Sequence, residues 1–213
     1  MVVLFPAGGL RLCMPVKQAA SRLIHQLSSL VDRLDLGRLF EKEQPVEVEM
    51  GSGDGSFLVE YARMNPGRNF IGIERLLGRM QKLGRKGARA GLNNLLGIQI
   101  ESSYFLEYLL PPLSIAALHL YFPDPWPKRK HRQNRLVNER FPALAGAALK
   151  PGGIVYLRTD DEDYFQQMLR VFAGSPLFRL AETPPNLAQV QTDFEKDFTA
   201  RGIKTLRAAY LRT

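Results

Sequence analysis

Between residues 46 and 159 the chain alternates short apolar runs with longer amphipathic ones. Segments 46–50, 69–74, 95–100, 114–122 and 154–159 have the apolar content and length of buried strands. The stretches between them, 55–65, 75–90, 104–109 and 133–149, are long enough for helices that return over a sheet. This alternation predicts an α/β fold, a mostly parallel sheet with helices on both faces. Upstream, Leu23, Leu27, Leu30, Val31 and Leu34 recur at spacings near three and four, which predicts a lead-in helix over 16–36 closed by Gly37. Downstream, one further helix runs to about Phe172, and apolar runs near 177–181 and 203–211 are expected to add edge strands. The proline pairs at 111–112 and 184–185 read as turns, and no repeat of 20 to 50 residues is present. The expected division is an N-terminal extension with the lead-in helix, 1–44, and one main domain, 45–213.

The length of 213 residues suits one main domain, and 45% hydrophobic with 23% charged residues excludes disordered and collagen-like chains. A net charge of +8 changes the picture more, because it favours a polyanionic partner. Cys13 stands alone and His25, His119 and His131 are scattered, so neither a disulfide nor a multi-thiolate zinc site is expected, and the compartment implied is a reducing cytoplasm. Residues 1–14 are apolar in part, but no basic residue precedes them and Gly8, Gly9 and Arg11 interrupt them. Neither a signal peptide nor a membrane helix is expected there.

The first strand leads into Gly51-Ser52-Gly53-Asp54-Gly55, where glycines at alternate positions let a backbone turn sharply and approach a ligand. About 20 residues later the second strand ends in Glu74, placed to accept from the hydroxyls of a ribose. A dinucleotide fingerprint needs a small residue three after Gly53, but position 56 is Ser and the glycine stands at 55. The spacing fits S-adenosylmethionine better than NAD. Glu49 reads either as an acidic neighbour for the ammonium and sulfonium charges of that cofactor or as the solvent-facing member of the alternation Val46-Glu47-Val48-Glu49-Met50. Glu101, after the third strand, reads either as an acceptor for an adenine amino group or as a solvated loop residue.

Strand four runs into Pro123-Asp124-Pro125-Trp126-Pro127-Lys128-Arg129-Lys130-His131-Arg132. In open α/β sheets the crevice beyond the strand C-termini binds ligands, so this loop is expected to face the cofactor, stiffened by alternate prolines that hold Asp124 and Trp126 in place. The basic run continuing to Arg135, beside an exposed aromatic, suits phosphates and a stacked base, which points to RNA. A second stripe, Arg75, Arg79, Lys82, Lys86 and Arg89, either extends an electrostatic track or is an ordinary exposed helix face.

These residues resemble the bacterial tRNA (guanine-N7)-methyltransferases, class I enzymes with a Rossmann-like fold that modify the variable-loop guanine at position 46. The resemblance runs from about Val46 to Lys204. Its most specific element is Phe122-Pro123-Asp124-Pro125-Trp126-Pro127-Lys128 with His131 and Arg135 following, joined by Thr159-Asp160 and Thr192-Asp193-Phe194-Glu195. It implies that Glu49, Glu74, Glu101 and Asp124, with Gly51, Gly53 and Gly55, bind S-adenosylmethionine, with Asp124 as the catalytic candidate. It implies that Lys128, His131, Arg135, Asp160, Thr192, Phe194 and Glu195 bind tRNA. Residues 159–162 and 192–195 also read as capping boxes that start helices. Two departures stand out: Asn134-Arg135-Leu136 keeps one arginine where the family usually has two, and Glu101 replaces the more common Asp. A cytoplasmic enzyme, monomeric or weakly dimeric and without a metal, is expected. The competing readings are a non-catalytic RNA-binding protein that keeps this fold, and a methyltransferase for a small molecule or another RNA position.

Overall fold

Residues 46–50 and 69–74 form strands at the bounds expected from their apolar runs, and the rest of a single eight-stranded sheet is built around them. The protein is described by a computed structural model over residues 20–213. The strands are β1 (Ile24–His25), β2 (Val46–Met50), β3 (Asn69–Glu74), β4 (Leu95–Gln99), β5 (Ile115–Tyr121), β6 (Leu149–Thr159), β7 (Phe178–Ala181) and β8 (Leu206–Arg212). Their order across the sheet is β1-β4-β3-β2-β5-β6-β8-β7. Pairings from β1 through β6 are parallel, and β8 runs antiparallel to both β6 and β7. The α-helices longer than a single turn are α1 (Ser56–Met64), α2 (Leu77–Arg89), α3 (Phe141–Ala148), α4 (Glu162–Ala173), α5 (Pro185–Gln189) and α6 (Asp193–Ala200), and a short helix, Ser102–Tyr104, runs into a π-helical turn, Phe105–Leu109.

Helices α1 and α2 dock one stripe each, Phe57, Leu58, Tyr61 and Ala62 from the first, Met80, Leu83, Gly84 and Gly87 from the second. On the sheet's other face, Phe141, Met168 and Phe172 join β-strand residues such as Val48, Ile73 and Leu118 in a second cluster. Each such fully buried side chain contributes about 1.5–3 kcal/mol. Strand β2 sits between β3 and β5 with all five residues buried. Its carboxylates therefore need partners: Glu47 takes Arg68 at 2.5 Å and His119 at 2.7 Å, and these draw its pKa below the ordinary value although burial alone would raise it.

Three expectations are corrected. The part of the lead-in helix before residue 20, with Cys13 and the apolar 1–14 segment, lies outside the described residues. From Ile24 onward the chain is the two-residue strand β1, an irregular run and a 3-10 turn, Leu36–Arg38. The backbone groups that a helix would have paired internally go to other elements: Leu23 O accepts from Gly97 N at 2.7 Å, and Leu34 N donates to Leu109 O at 2.9 Å. Leu27, Leu34, Leu36, Leu39 and Phe40 nevertheless pack on the core, while Val31 faces solvent. The helix expected over 133–149 shrinks to α3, because Arg129–Asn134 is a 3-10 turn, Arg135 is extended, and Pro142 permits only a helix start. Segment 206–212 is an interior strand between β6 and β7 rather than an edge.

Candidate active site

The turn after β2 folds back on β3 through a hydrogen bond from Ser52 N to Ile73 O, 2.8 Å. Gly51 has φ 74° and Gly55 φ 77°, a region that side-chain-bearing residues rarely adopt. A Cβ on Gly55 would also lie 2.7 Å from Leu83 Cγ, so glycine is required there by both backbone and packing. Two clefts open beside this turn. The first, about 380 Å³, is lined by Gly51, Glu74, Glu101, Asp124, Trp126 and Asn134, among others. The second, about 570 Å³, is lined by Glu49, Gly53, Phe57, Lys82, Thr192 and Phe194, among others. Gly51, Arg79, Tyr121, Phe122 and Asp124 line both, so the clefts share a wall built by the β2 turn and the end of β5.

The acids take distinct environments. Glu74 is buried at the end of β3, accepts from Leu76 N at 2.8 Å and has Arg79 at 4.0 Å. Glu101 caps the short helix Ser102–Tyr104, accepting from Ser103 N at 2.9 Å and Tyr104 N at 2.8 Å. Glu49 is buried, contrary to its solvent-facing reading, and its Oε2 has no hydrogen-bond partner among the described residues. Burial pushes its pKa up to about 8; the Arg158 guanidinium opposes the rise and the Asp54 and Glu74 carboxylates add to it. A glycine-lined bend, an acid at the end of β3 and an orphaned carboxyl in the cavity fit a ligand with a ribose and a cationic tail.

Asp124 is exposed and makes no hydrogen bond or ion pair with the described residues. It is flanked by two strained residues, Phe122 at φ 50° and Trp126 at φ 44°. Such conformations cost about 1–3 kcal/mol each and persist only where the surroundings impose them. Arg135 supplies that constraint. Its Nε donates to Pro125 O at 2.6 Å, Nη1 to Gln167 Oε1 at 2.8 Å and Nη2 to Asp163 Oδ2 at 2.6 Å, and its guanidinium carbon lies 4.7 Å from the Tyr164 ring centroid. With Arg135 buried and its donors committed, it bolts the loop to α4 instead of reaching into either cleft.

Glu195 is likewise buried. Its carboxylate pairs with Arg158, 2.9 Å away, and with Arg207. Arg158 also donates to Val190 O and Leu187 O at 2.7 Å, and its guanidinium carbon stands 4.3 Å from the Tyr121 ring centroid. This network fixes segment 185–195 against the sheet, so that Thr192 and Phe194 form the rim of the second cleft. Thr192 caps α6 by accepting from Glu195 N at 3.0 Å, as its box pattern predicts, although the Glu195 side chain does not reciprocate. At 159–162 the cap is Asp161, accepting from Tyr164 N at 2.7 Å, and Thr159 Oγ1 accepts from Asp161 N instead.

The structure thus gathers Glu49, Gly51, Gly53, Glu74, Glu101, Asp124, Thr192 and Phe194 around the two clefts, with Gly55 packed beneath them. Lys128, His131, Arg135, Asp160 and Glu195 line neither cleft. Lys128 and Asp160 are exposed, and His131 sits beside Trp126 with ring centroids 5.9 Å apart. The sequence reading missed Tyr121 as a wall common to both clefts and Arg158 as the buried hub behind it. No local pattern marks either one.

Residues 43–208 match the family described as "Putative methyltransferase". Over 195 residues the chain is 34% identical to a tRNA (guanine-N(7)-)-methyltransferase of Rubrobacter xylanophilus, covering 90% of this chain and 86% of that one. The chain belongs to the tRNA (guanine-N7)-methyltransferase family. Another relative of the same name, from Bordetella pertussis, is 37% identical over 146 residues, 68% of this chain and 58% of its own length. A third, from Thermotoga maritima, is 31% identical over 173 residues, 81% of this chain and 55% of its own length. The chain therefore spans little more than half the length of several family members it matches. Among solved structures, a 16S rRNA methyltransferase, KamB, superposes with a TM-score of 0.63 at 18% identity, covering 85% of this chain and 94% of that one. TrmN from Thermus thermophilus superposes with a TM-score of 0.57 at 16% identity, covering 80% and 45%. These likenesses show the Rossmann-like methyltransferase fold.

Proposed function

We propose that the protein transfers the methyl group of S-adenosylmethionine to N7 of a tRNA guanine, the variable-loop guanine at position 46. The observation that carries this reading is the wall shared by the two clefts, past which a donor with its nucleoside in the first cleft would reach Glu49 with its tail and present its methyl group to a nucleobase in the second. Glu74 would take the ribose hydroxyls, Glu101 the adenine amino group, and Glu49 the cationic tail. Bound there, S-adenosylmethionine supplies an electrophilic methyl group on a positively charged sulfur.

Guanine N7 carries a lone pair and no proton, so no residue has to act as a general base. The chain's work is orientation and electrostatics. Asp124, held by strained neighbours and free of protein partners, would face the purine as it gains positive charge. Trp126, 38% exposed, offers a stacking face beside it. Lys128, Arg129 and Lys130 are exposed on the loop, where phosphates would be met, and Arg132 beside them is paired with Asp163 at 3.0 Å. Asp160 remains assigned to tRNA contact by family resemblance, as do Thr192 and Phe194, with Arg135 and Glu195 acting behind the surface. The reading carries with it a cytoplasmic enzyme, monomeric or weakly dimeric, working without a metal, with 1–44 as an extension to the methyltransferase domain 45–213.

Incubation with undermodified tRNA and methyl-labelled S-adenosylmethionine, followed by borohydride and aniline cleavage, tests it. Label at the variable-loop guanine is expected. Binding of tRNA without label, or label at another base, would overturn the assignment.

A further inference from the structure

Helix α2 carries Arg79, Lys82, Lys86 and Arg89 on one face, with Arg75 just ahead of it and no acidic residue between 75 and 100. Such a stripe is unfavourable to the helix itself. Like charges three and four apart repel, and the first turn of a helix favours acids, of which α2 has none. The local acids neutralise little of it. Lys86 bridges Asp54 at 2.8 Å and Asp193 at 3.6 Å, and Arg79 stands 4.0 Å from Glu74. Among the described residues Arg75, Lys82 and Arg89 make no ion pair.

The stripe does not end at the second cleft. Lys86 and Arg89 continue into a groove of about 490 Å³ where Arg63 of α1 and Lys196 of α6 join them. The groove also holds Glu60, and it adjoins the second cleft directly, since Ser56 and Asp193 line both. Four cations from three helices thus converge at the end of a track that starts beside the shared wall. The cations recur about one helical turn, roughly 5.4 Å, apart, which suits a chain of evenly spaced single charges more than one compact anion.

We propose that this groove between α1, α2 and α6 binds the phosphodiester backbone of the RNA whose guanine occupies the cleft. The proposal rests on the RNA-methyltransferase reading and adds to it a binding surface beyond the two clefts. Its test is the triple variant Arg63→Gln, Arg89→Gln, Lys196→Gln, three exposed positions of which only Lys196 has an ion pair, a 3.5 Å contact to Asp193 at the surface. Affinity for tRNA is measured at several salt concentrations, together with kcat, KM for tRNA and Kd for S-adenosylmethionine. The expected result is a slope of log affinity against log salt shallower by about 2 and a KM for tRNA raised about tenfold or more near physiological salt, with kcat at saturating tRNA and the cofactor Kd unchanged. An unchanged slope and KM, with the parent enzyme methylating tRNA normally, would overturn the groove and leave the reaction standing. So would a fall in kcat with no change in slope. A parent protein that neither binds nor labels tRNA would overturn both, so the parent control separates the two failures.

Discussion

Replacing Glu49 with Gln tests whether the buried carboxyl is reserved for a cation. Its pKa, up at about 8 from an ordinary value near 4.5, means that the folded protein keeps a proton here between those pH values while the unfolded chain has lost it. The folded state binds more protons, so the group's contribution to stability falls as pH rises through that window and levels off above it. At about 1.4 kcal/mol per unit of pKa, the cost at pH 8 has an upper bound of about 5 kcal/mol. Glu49→Gln removes the ionisable group. Urea unfolding of the ligand-free protein at pH 5, 6, 7 and 8 should show the variant gaining on the parent by up to about 1.4 kcal/mol per pH unit, about 2–4 kcal/mol in all. All other titrating groups cancel in the difference. A cationic ligand beside Oε2 would reverse the preference and ionise Glu49, so cofactor binding at pH 7 should release close to one proton in the parent and none in the variant. Calorimetry in buffers of unlike ionisation enthalpy reads that directly. Parallel unfolding profiles, or equal proton release, would show that Glu49 is ionised in the ligand-free protein and is not reserved for a cation.

Arg135→Ala should cost about 2–4 kcal/mol, because it strands the Pro125 carbonyl and removes a buried guanidinium, and kcat should fall as the loop loosens; denaturant midpoints and steady-state kinetics check both halves. Gly55→Ala combines a positive φ with a contact against Leu83 and should lose about 2 kcal/mol or more, read as a lower thermal midpoint. Asp124→Ala should lower turnover by about 100-fold with tRNA affinity nearly intact, whereas Lys128→Ala should weaken binding and make the salt slope shallower by about one; equal binding losses in both variants would contradict this division.

The parallel core of the sheet was legible because its strands are apolar runs separated by crossover-length segments, and β2 and β3 fell at their expected bounds. The positions of the glycine bend and of the acids at strand ends were legible for a related reason, since they depend on one strand and the turn that follows it. Other features depended on partners distant in sequence. The alternation at Val46–Met50 resembles a strand with one wet face, yet β2 is covered on both, with Glu47 answered by His119 and Glu49 left for the cleft. Arg135 and Glu195 carry charges that resemblance assigns to RNA. Only folding reveals that Pro125, Asp163 and Gln167 close around the first and Arg158 and Arg207 around the second. The upstream leucine spacing satisfies a helix, but the edge of β4 offered backbone partners that the segment took instead, with Ile24 and His25 paired to Gly97 and Ile98.

A crystal structure of the protein with S-adenosylhomocysteine and a guanosine-bearing RNA fragment would measure the central geometry. The nucleoside is expected between Glu74 and Glu101, the sulfur at the rim formed by Gly51 and Asp124, and guanine N7 in the second cleft, placed about 3–3.5 Å from where the methyl carbon would lie. A guanine bound outside the second cleft, out of line with the sulfur, would contradict it.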